Sequence, residues 1–255
     1  MPDSHCVVDI AEVRSACKSC SLFHLCLPMH IGSDDLEKLD KIIRRRTPLK
    51  RGDHLFHQGD PFNSLFAVRS GSIKTYTATE DGQEQITGFH LAGELLGMAA
   101  ICNESHPCAA KALETTSVCE IPFERLEELG ARIPGLQHHI LRVMSREILR
   151  DEHMLMLLGK MNADERLASF LLSLSSRHKQ RGFSASEYYL SMSRNDIGNY
   201  LGLAVETISR LFTRFQDEGL LSVERKHIKI HDLDRLSQMA GRRSAPPYSS
   251  SSRLG

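Results

Sequence analysis

The chain has 255 residues, 41% hydrophobic and 25% charged, the composition of an ordinary globular protein and not of a disordered or collagen-like one. Lys and Arg number 32, as do Asp and Glu, so net charge neither suggests nor forbids a nucleic-acid partner. Apolar runs such as residues 95–100 fall far short of the roughly 18 residues of a membrane helix. Residues 1–10 carry Asp3 and Asp9 and no apolar secretory segment, which predicts a soluble, cytoplasmic protein with no membrane partner.

Seven cysteines occur: Cys6, Cys17, Cys20, Cys26, Cys102, Cys108 and Cys119. An odd count in a long chain without a signal peptide argues against a disulfide framework. Cys17, Cys20 and Cys26 form a C-x2-C-x5-C run in a short polar segment. Buried packing cysteines are a poor description of such a segment, and no βαβ pattern surrounds it to suggest a thioredoxin-like dithiol. A metal or cluster site fits the spacing best. Zinc and iron–sulfur sites both take sets of four cysteines, so one ligand is missing. Spacing alone separates neither zinc from iron, nor Cys102, Cys108 and Cys119 as the fourth ligand.

Residues 33–46 read as a helix with Ser33 as N-cap, acidic residues in its first turn and an apolar stripe of Leu36, Leu39, Ile42 and Ile43. Arg44, Arg45 and Arg46 then form a solvated basic end, and Pro48 stops the helix. From 52 to 122 the texture turns to short strands at 65–68, 73–79, 85–89 and 117–121. Turn signals separate them, among them Asp81-Gly82 as a hairpin. This predicts a sandwich or jelly-roll barrel.

Residues 134–160 form a long helix. Leu141, Met144, Ile148, Leu155 and Leu158 are spaced by 3, 4, 7 and 3 residues, a heptad seam for a homodimer in which Asp151 fills the remaining d position. A further helix follows at 162–175.

Ser193 caps a short helix with Ile197, Tyr200 and Leu201 on one face. Gly202-Leu203 makes a turn, and 204–216 form a second helix with Val205, Ile208, Leu211, Phe212 and Phe215 inward. Two short helices around a Gly-containing turn are a DNA-reading pair, and 223–230, with Lys226 and Lys229, add a hairpin wing. Residues 161–240 hold 11 basic and 10 acidic residues, so any affinity for double-stranded DNA rests on placement. Glu206, Ser209 and Arg210 share the outward face near the start of the second helix, where base edges are met. Glu accepts from cytosine N4 and Arg forks to guanine. A Glu206–Arg210 pair in the free protein is compatible with this.

These parts together resemble the FNR/ANR-type regulators of the CRP/FNR superfamily. The resemblance is carried by Cys17-x2-Cys20-x5-Cys26, by 83–94 (QEQITGFHLAGE), by 118–123 (VCEIPF) and by 196–210 (DIGNYLGLAVETISR). It covers about residues 17–240 and implies an oxygen-responsive transcription regulator. Its [4Fe–4S] cluster would sit on Cys17, Cys20, Cys26 and Cys119, leaving Cys6, Cys102 and Cys108 as bystanders. It also implies DNA contacts from Glu206, Ser209 and Arg210 to palindromic TTGAT-type sites, a cluster-loaded homodimer, inactive monomer after cluster loss in oxygen, and contact with RNA polymerase, with the 79–85 loop as a candidate surface.

The implied fold is α+β. Residues 1–30 form a cluster-binding segment, 31–133 a cyclic-nucleotide-binding-like jelly-roll barrel, 134–160 the dimerisation helix, 161–240 a winged helix-turn-helix and 241–255 a disordered tail. The cyclic-nucleotide branch needs Gly-Glu for the ribose and an Arg for the phosphate. Gly93-Glu94 is present, but 95–112 contains no Arg, so no cyclic nucleotide is expected. A redox enzyme or electron carrier is the rival class. Neither a dinucleotide fingerprint nor a Walker loop supports it, so the chain is expected not to be an enzyme.

Overall fold

A computed structural model describes Cys17, residues 20–27 and residues 32–241. Cys6 and the predicted tail beyond Gly241 lie outside the described residues.

Helix α1 (Ser33–Ile42) is capped by Gly32, so Ser33 is its first residue and not its cap. It ends before the arginines, because Ile43 is already extended and Arg44–Arg45 forms strand β1. The basic run is therefore sheet edge and not helix end. Arg45 bonds Asp40 at 3.0 Å, and Arg46 bonds Glu120 at 2.5 Å.

Then come β2 (His54–Phe56), β3 (Ser64–Ser70), β4 (Ser72–Ala78), β5 (Glu84–Leu91), β6 (Leu95–Leu96), β7 (Ala109–Ala112) and β8 (Ser117–Pro122). They form two antiparallel sheets, ordered β1-β8-β3-β6 and β2-β7-β4-β5. The jelly-roll thus takes the form of two facing sheets. Alternation along β3 shows the layering: Phe66 and Val68 face the core between the sheets, with Phe56, Ile73 and Val118. Leu65 and Ala67 face the other way, into a second core with Leu27, Leu39 and Ile121. A strand buried on both faces reads as a continuous apolar run, as residues 65–68 do.

The second core is closed by α2 (Phe123–Arg132) and the start of α3 (Pro134–Lys160), where Leu136 is buried. Past that point one face of α3 lies open, with Leu141 59%, Ile148 59% and Leu155 72% exposed, while Val143, Met154 and Leu157 pack on the neighbouring cores. Among the described residues no helix is long and apolar enough to cross a membrane.

Helix α4 (Ala163–Gln180) opens on a capping box between Asn162 and Glu165. Strand β9 (Glu187–Tyr189), helices α5 (Arg194–Leu201) and α6 (Val205–Asp217), strands β10 (Leu221–Glu224) and β11 (His227–Ile230), and helix α7 (Leu233–Met239) complete the module. Its core is continuous with Tyr76, Ile86, Phe89 and Leu91, residues of β4 and β5, so the module docks on the β2-β7-β4-β5 sheet.

Candidate thiol centre and nucleic-acid interface

Residues 20–27 form a loop of tight turns, with Phe23 N donating to Cys20 O at 3.0 Å and Cys26 N to Leu22 O at 3.1 Å. Cys17 donates its backbone N–H to Asp40 Oδ1 at 3.0 Å. Leu27, 1% exposed, anchors the loop in the second core. The pleat of β8 decides where Cys119 points. Val118 faces the core between the sheets, so Cys119 and Ile121 face the second core, on which the loop lies. Cys26 and Cys119 pack against that same core.

Burial is the main reason the thiols of Cys17 and Cys26 are pushed up to about 12. Burial also raises Cys119, while Arg45 and Arg69 pull it back. Cys17 lies close enough to feel Cys26 and Cys119, and Cys26 close enough to feel Cys119 and Cys20. Cys102 is exposed, and Cys108 packs against the core between the sheets. The fold therefore gathers Cys17, Cys20, Cys26 and Cys119 and keeps Cys102 and Cys108 apart.

Among the described residues no three His, Cys, Asp or Glu side chains converge tightly enough for a single metal ion. A mononuclear site draws its sulfurs to about 2.3 Å from one point.

Ser193 Oγ accepts from Asp196 N at 3.1 Å, and Asp196 Oδ2 accepts from Ser193 N at 2.9 Å, a reciprocal cap for α5. Gly202 ends α5 at φ 63. Gly198 is a requirement that sequence reasoning missed. A Cβ there would lie 2.6 Å from Leu203 O, so only glycine lets the turn come this close. Arg194 was missed as well. Its guanidinium lies 3.2 Å from the Phe212 ring centre and braces α5 on α6, and burial lowers it to about 10.

Ile208, Leu211, Phe212 and Phe215 of α6 are buried, and Val205 is half-buried. Glu206, Ser209 and Arg210 are exposed. Among the described residues no ion pair joins Glu206 to Arg210, so both heads are available to base edges. β9 adds a third strand to the wing, whose Lys226 and Lys229 are exposed.

Residues 83–94 match the resemblance, and the structure gives Glu94 a partner set. Arg177 forks onto its carboxylate at 2.9 and 2.5 Å, and Arg181 donates to it at 2.7 Å. These arginines hold its carboxyl well below the usual carboxylate range against the opposing effect of burial. The 79–85 loop is an exposed turn between β4 and β5, closed by Thr79 N to Gln83 O at 3.0 Å.

On the seam, Leu141, Ile148, Asp151 and Leu155 are exposed and Met144 is half-buried. Leu158 differs: it packs against the core of the DNA-binding module. Partial desolvation raises the Asp151 carboxyl while Arg150 lowers it.

The chain matches the cyclic nucleotide-binding domain family over residues 46–132 and the Crp-like helix-turn-helix domain family over 165–239. It is 57% identical over 228 residues to the transcriptional activator protein Anr of Pseudomonas aeruginosa PAO1, covering 89% of this chain and 93% of that protein. The chain belongs to the CRP/FNR superfamily. It is likewise 54% identical over 225 residues to the fumarate and nitrate reduction regulatory protein of Escherichia coli K12, covering 88% of this chain and 90% of that one. Among solved structures, FixK2 from Bradyrhizobium japonicum aligns with TM-score 0.73 and 28% identity over 80% of this chain and 100% of its own. This CRP/FNR-type chain is accordingly a DNA-binding transcription regulator and not an enzyme.

Proposed function

We propose that this CRP/FNR-type regulator senses oxygen through a [4Fe–4S] cluster held by Cys17, Cys20, Cys26 and Cys119. The observation that carries the reading is the gathering of four thiols from two distant segments on one face of a sheet, in a chain that also presents an exposed recognition helix. When bound, the cluster supplies an oxygen-labile centre. The chain's own part is to give up the thiol protons of its four cysteines, at Cys17, Cys26 and Cys119 against the burial that raises them, and so to tie the loop to β8. The names of the two relatives, a transcriptional activator and a regulator of fumarate and nitrate reduction, support an anaerobic role.

The exposed stripe on α3 supports dimerisation, with Asp151 facing its copy in a parallel pair. Desolvating two like charges costs several kcal/mol. A penalty of roughly 3 kcal/mol weakens association about a hundredfold. An unligated chain then stays monomeric and cannot span two half-sites. A ligated one restrains the segment packed beside α3 and offsets the repulsion. Glu206, Ser209 and Arg210 read TTGAT-type half-sites about one helical turn apart. The 79–85 turn meets RNA polymerase, and the protein acts in the cytoplasm.

Domain limits follow this division of labour: a cluster-binding segment to residue 30, a sensor unit at 31–133, a dimerisation helix at 134–160 and a DNA-binding module at 161–240. No cyclic nucleotide takes part, because both oxygens of Glu94 are committed to arginine and none is left for a ribose.

Anaerobic reconstitution with iron and sulfide, followed by visible spectra, metal analysis and a mobility shift on a TTGAT palindrome, tests the reading. Broad visible absorption that is lost in air together with the shift is expected. A colourless protein with stable zinc and unchanged DNA binding in air would overturn it.

A further inference from the structure

Two parts of the molecule that are far apart in sequence meet at the turn of residues 91–94. On one side lies the cysteine loop. A Cβ placed on Gly93 would sit 3.0 Å from Leu25 Cβ and 3.9 Å from Leu22 Cδ2, so the loop rests directly on this turn. At φ 89 the turn is a glycine position, and the missing side chain is the space Leu25 occupies. On the other side lies α4, the first helix of the DNA-binding module. Arg177 donates to Glu94 and, at 2.6 Å, to Phe89 O. Arg181 donates to Glu94 and, at 2.7 Å, to Ala92 O.

The turn is also fixed to the sheet beneath. Gly93 N donates to Val68 O at 2.7 Å, and Leu91 N donates to Glu94 Oε2 at 3.0 Å. The Glu94 side chain is 10% exposed, Arg177 15% and Arg181 4%. This charged latch is shielded from salt and solvent, unlike a surface pair.

The docking extends from α4 to α5. Lys74 on β4 pairs with Asp196 at 2.8 Å. Asn199 accepts from Ile86 N at 2.6 Å and donates to Glu84 O at 2.7 Å, gripping the backbone of β5. Phe89, Phe170 and Tyr200 pack ring against ring, with centroids 5.0 to 6.0 Å apart. The helix-turn-helix is therefore carried on the strand that ends in the turn touching the cysteine loop.

We propose that the turn of residues 91–94 couples the cysteine loop to the DNA-binding module within one protomer, with Glu94 as the positioning residue. Arg150 of α3 also pairs with Glu94, at 3.7 Å, so the dimerisation helix meets the same carboxylate. The coupling rests on the reading that the loop gains restraint when its thiols are ligated. A restrained loop keeps Leu22 and Leu25 seated on Gly93. The turn then holds Glu94 where Arg177 and Arg181 reach it, and α4 and α5 stay docked. A loop that moves off the turn releases the seat, and the module loses its fixed angle.

A double-mutant cycle of Leu22→Ala and Glu94→Gln tests this, read as amide hydrogen exchange across residues 163–201. In the metal-free protein, Leu22→Ala should raise exchange there about fivefold, the low end of coupling between sites. In the Glu94→Gln background it should have no further effect. Reconstitution with iron and sulfide should slow exchange in the same residues of the unmodified protein. It should fail to do so in Glu94→Gln, at equal visible absorption. Equal effects of Leu22→Ala in both backgrounds would overturn the coupling. Absence of visible absorption in the unmodified protein would sink the ligation reading alone, since the metal-free cycle still decides the link. Should Glu94→Gln lose cooperative unfolding, Arg181→Gln replaces it: because the Arg177 fork remains, the effect of Leu22→Ala should shrink without vanishing, and an undiminished effect would overturn the coupling.

Discussion

The helix-turn-helix and the cysteine loop are held in opposite ways. The first is closed by its own residues: a reciprocal cap at Ser193 and Asp196, a left-handed stop at Gly202, and Ile208, Leu211, Phe212 and Phe215 beneath. The loop of residues 20–27 has a few turn hydrogen bonds and a single buried anchor, Leu27. With it stand the thiols of Cys17 and Cys26, which burial pushes up to about 12. A unit whose contacts are complete keeps its shape in any condition. One whose strongest ligands are unspent can be stabilised by what binds it, which is what a switch requires.

The sharpest way to break this contrast is Cys119→Ser. It should abolish a stable visible spectrum after anaerobic reconstitution while leaving the helical content and thermal unfolding of the metal-free protein unchanged. A full and stable spectrum in that variant would detach β8 from the site. The converse change is Phe215→Ala, a fully buried ring in the module's core. It should cost about 3–5 kcal/mol of unfolding free energy. Chemical denaturation of the metal-free protein checks the size of that loss.

Asp151→Ala acts between the regions. It should tighten dimerisation by about a hundredfold and permit DNA binding in air, as judged by sedimentation and mobility shift. A variant that stays monomeric at micromolar concentration would mean the charge is not the gate. Arg210→Ala should have the smallest effect, about 1–3 kcal/mol, with relaxed discrimination at one base pair of each half-site. Equal weakening on TTGAT and random duplexes would make Arg210 a phosphate contact only.

The regions also differ in how far they can be read from sequence. The caps of α4 and α5, the Gly202 stop and the spacing of Ile208, Leu211 and Phe215 are local signals, and the structure reproduces that pair within a residue or two. Helix α3 was legible from its Pro134 start and its apolar stripe. The two-residue strands were not: Leu95–Leu96 and Arg44–Arg45 acquire strand identity only from their partners. Helix α2 lacks a capping side chain at Pro122 and gave no start signal.

At the thiol site, the C-x2-C-x5-C run is local and was legible. The proximity of Cys119 is a matter of which face of β8 it occupies, and spacing could not choose it over Cys102 or Cys108. Leu158 shows the same limit. It fits the heptad, yet it packs against the α5–α6 turn, where a Cβ on Gly202 would lie 3.5 Å from its Cδ2. Seam position and burial partner are different facts, and only tertiary structure separates them.

Strand β8 lies between β1 and β3, so Cys119 reaches its place only after both pairings exist. During synthesis the three loop cysteines leave the ribosome long before the fourth. A chain caught at that stage offers an incomplete, exposed set of thiols open to the wrong metal or to oxidation. On the proposed ligand set, sheet closure would act as a checkpoint on cofactor delivery: a donor that demands four ligands would be refused until the domain has folded.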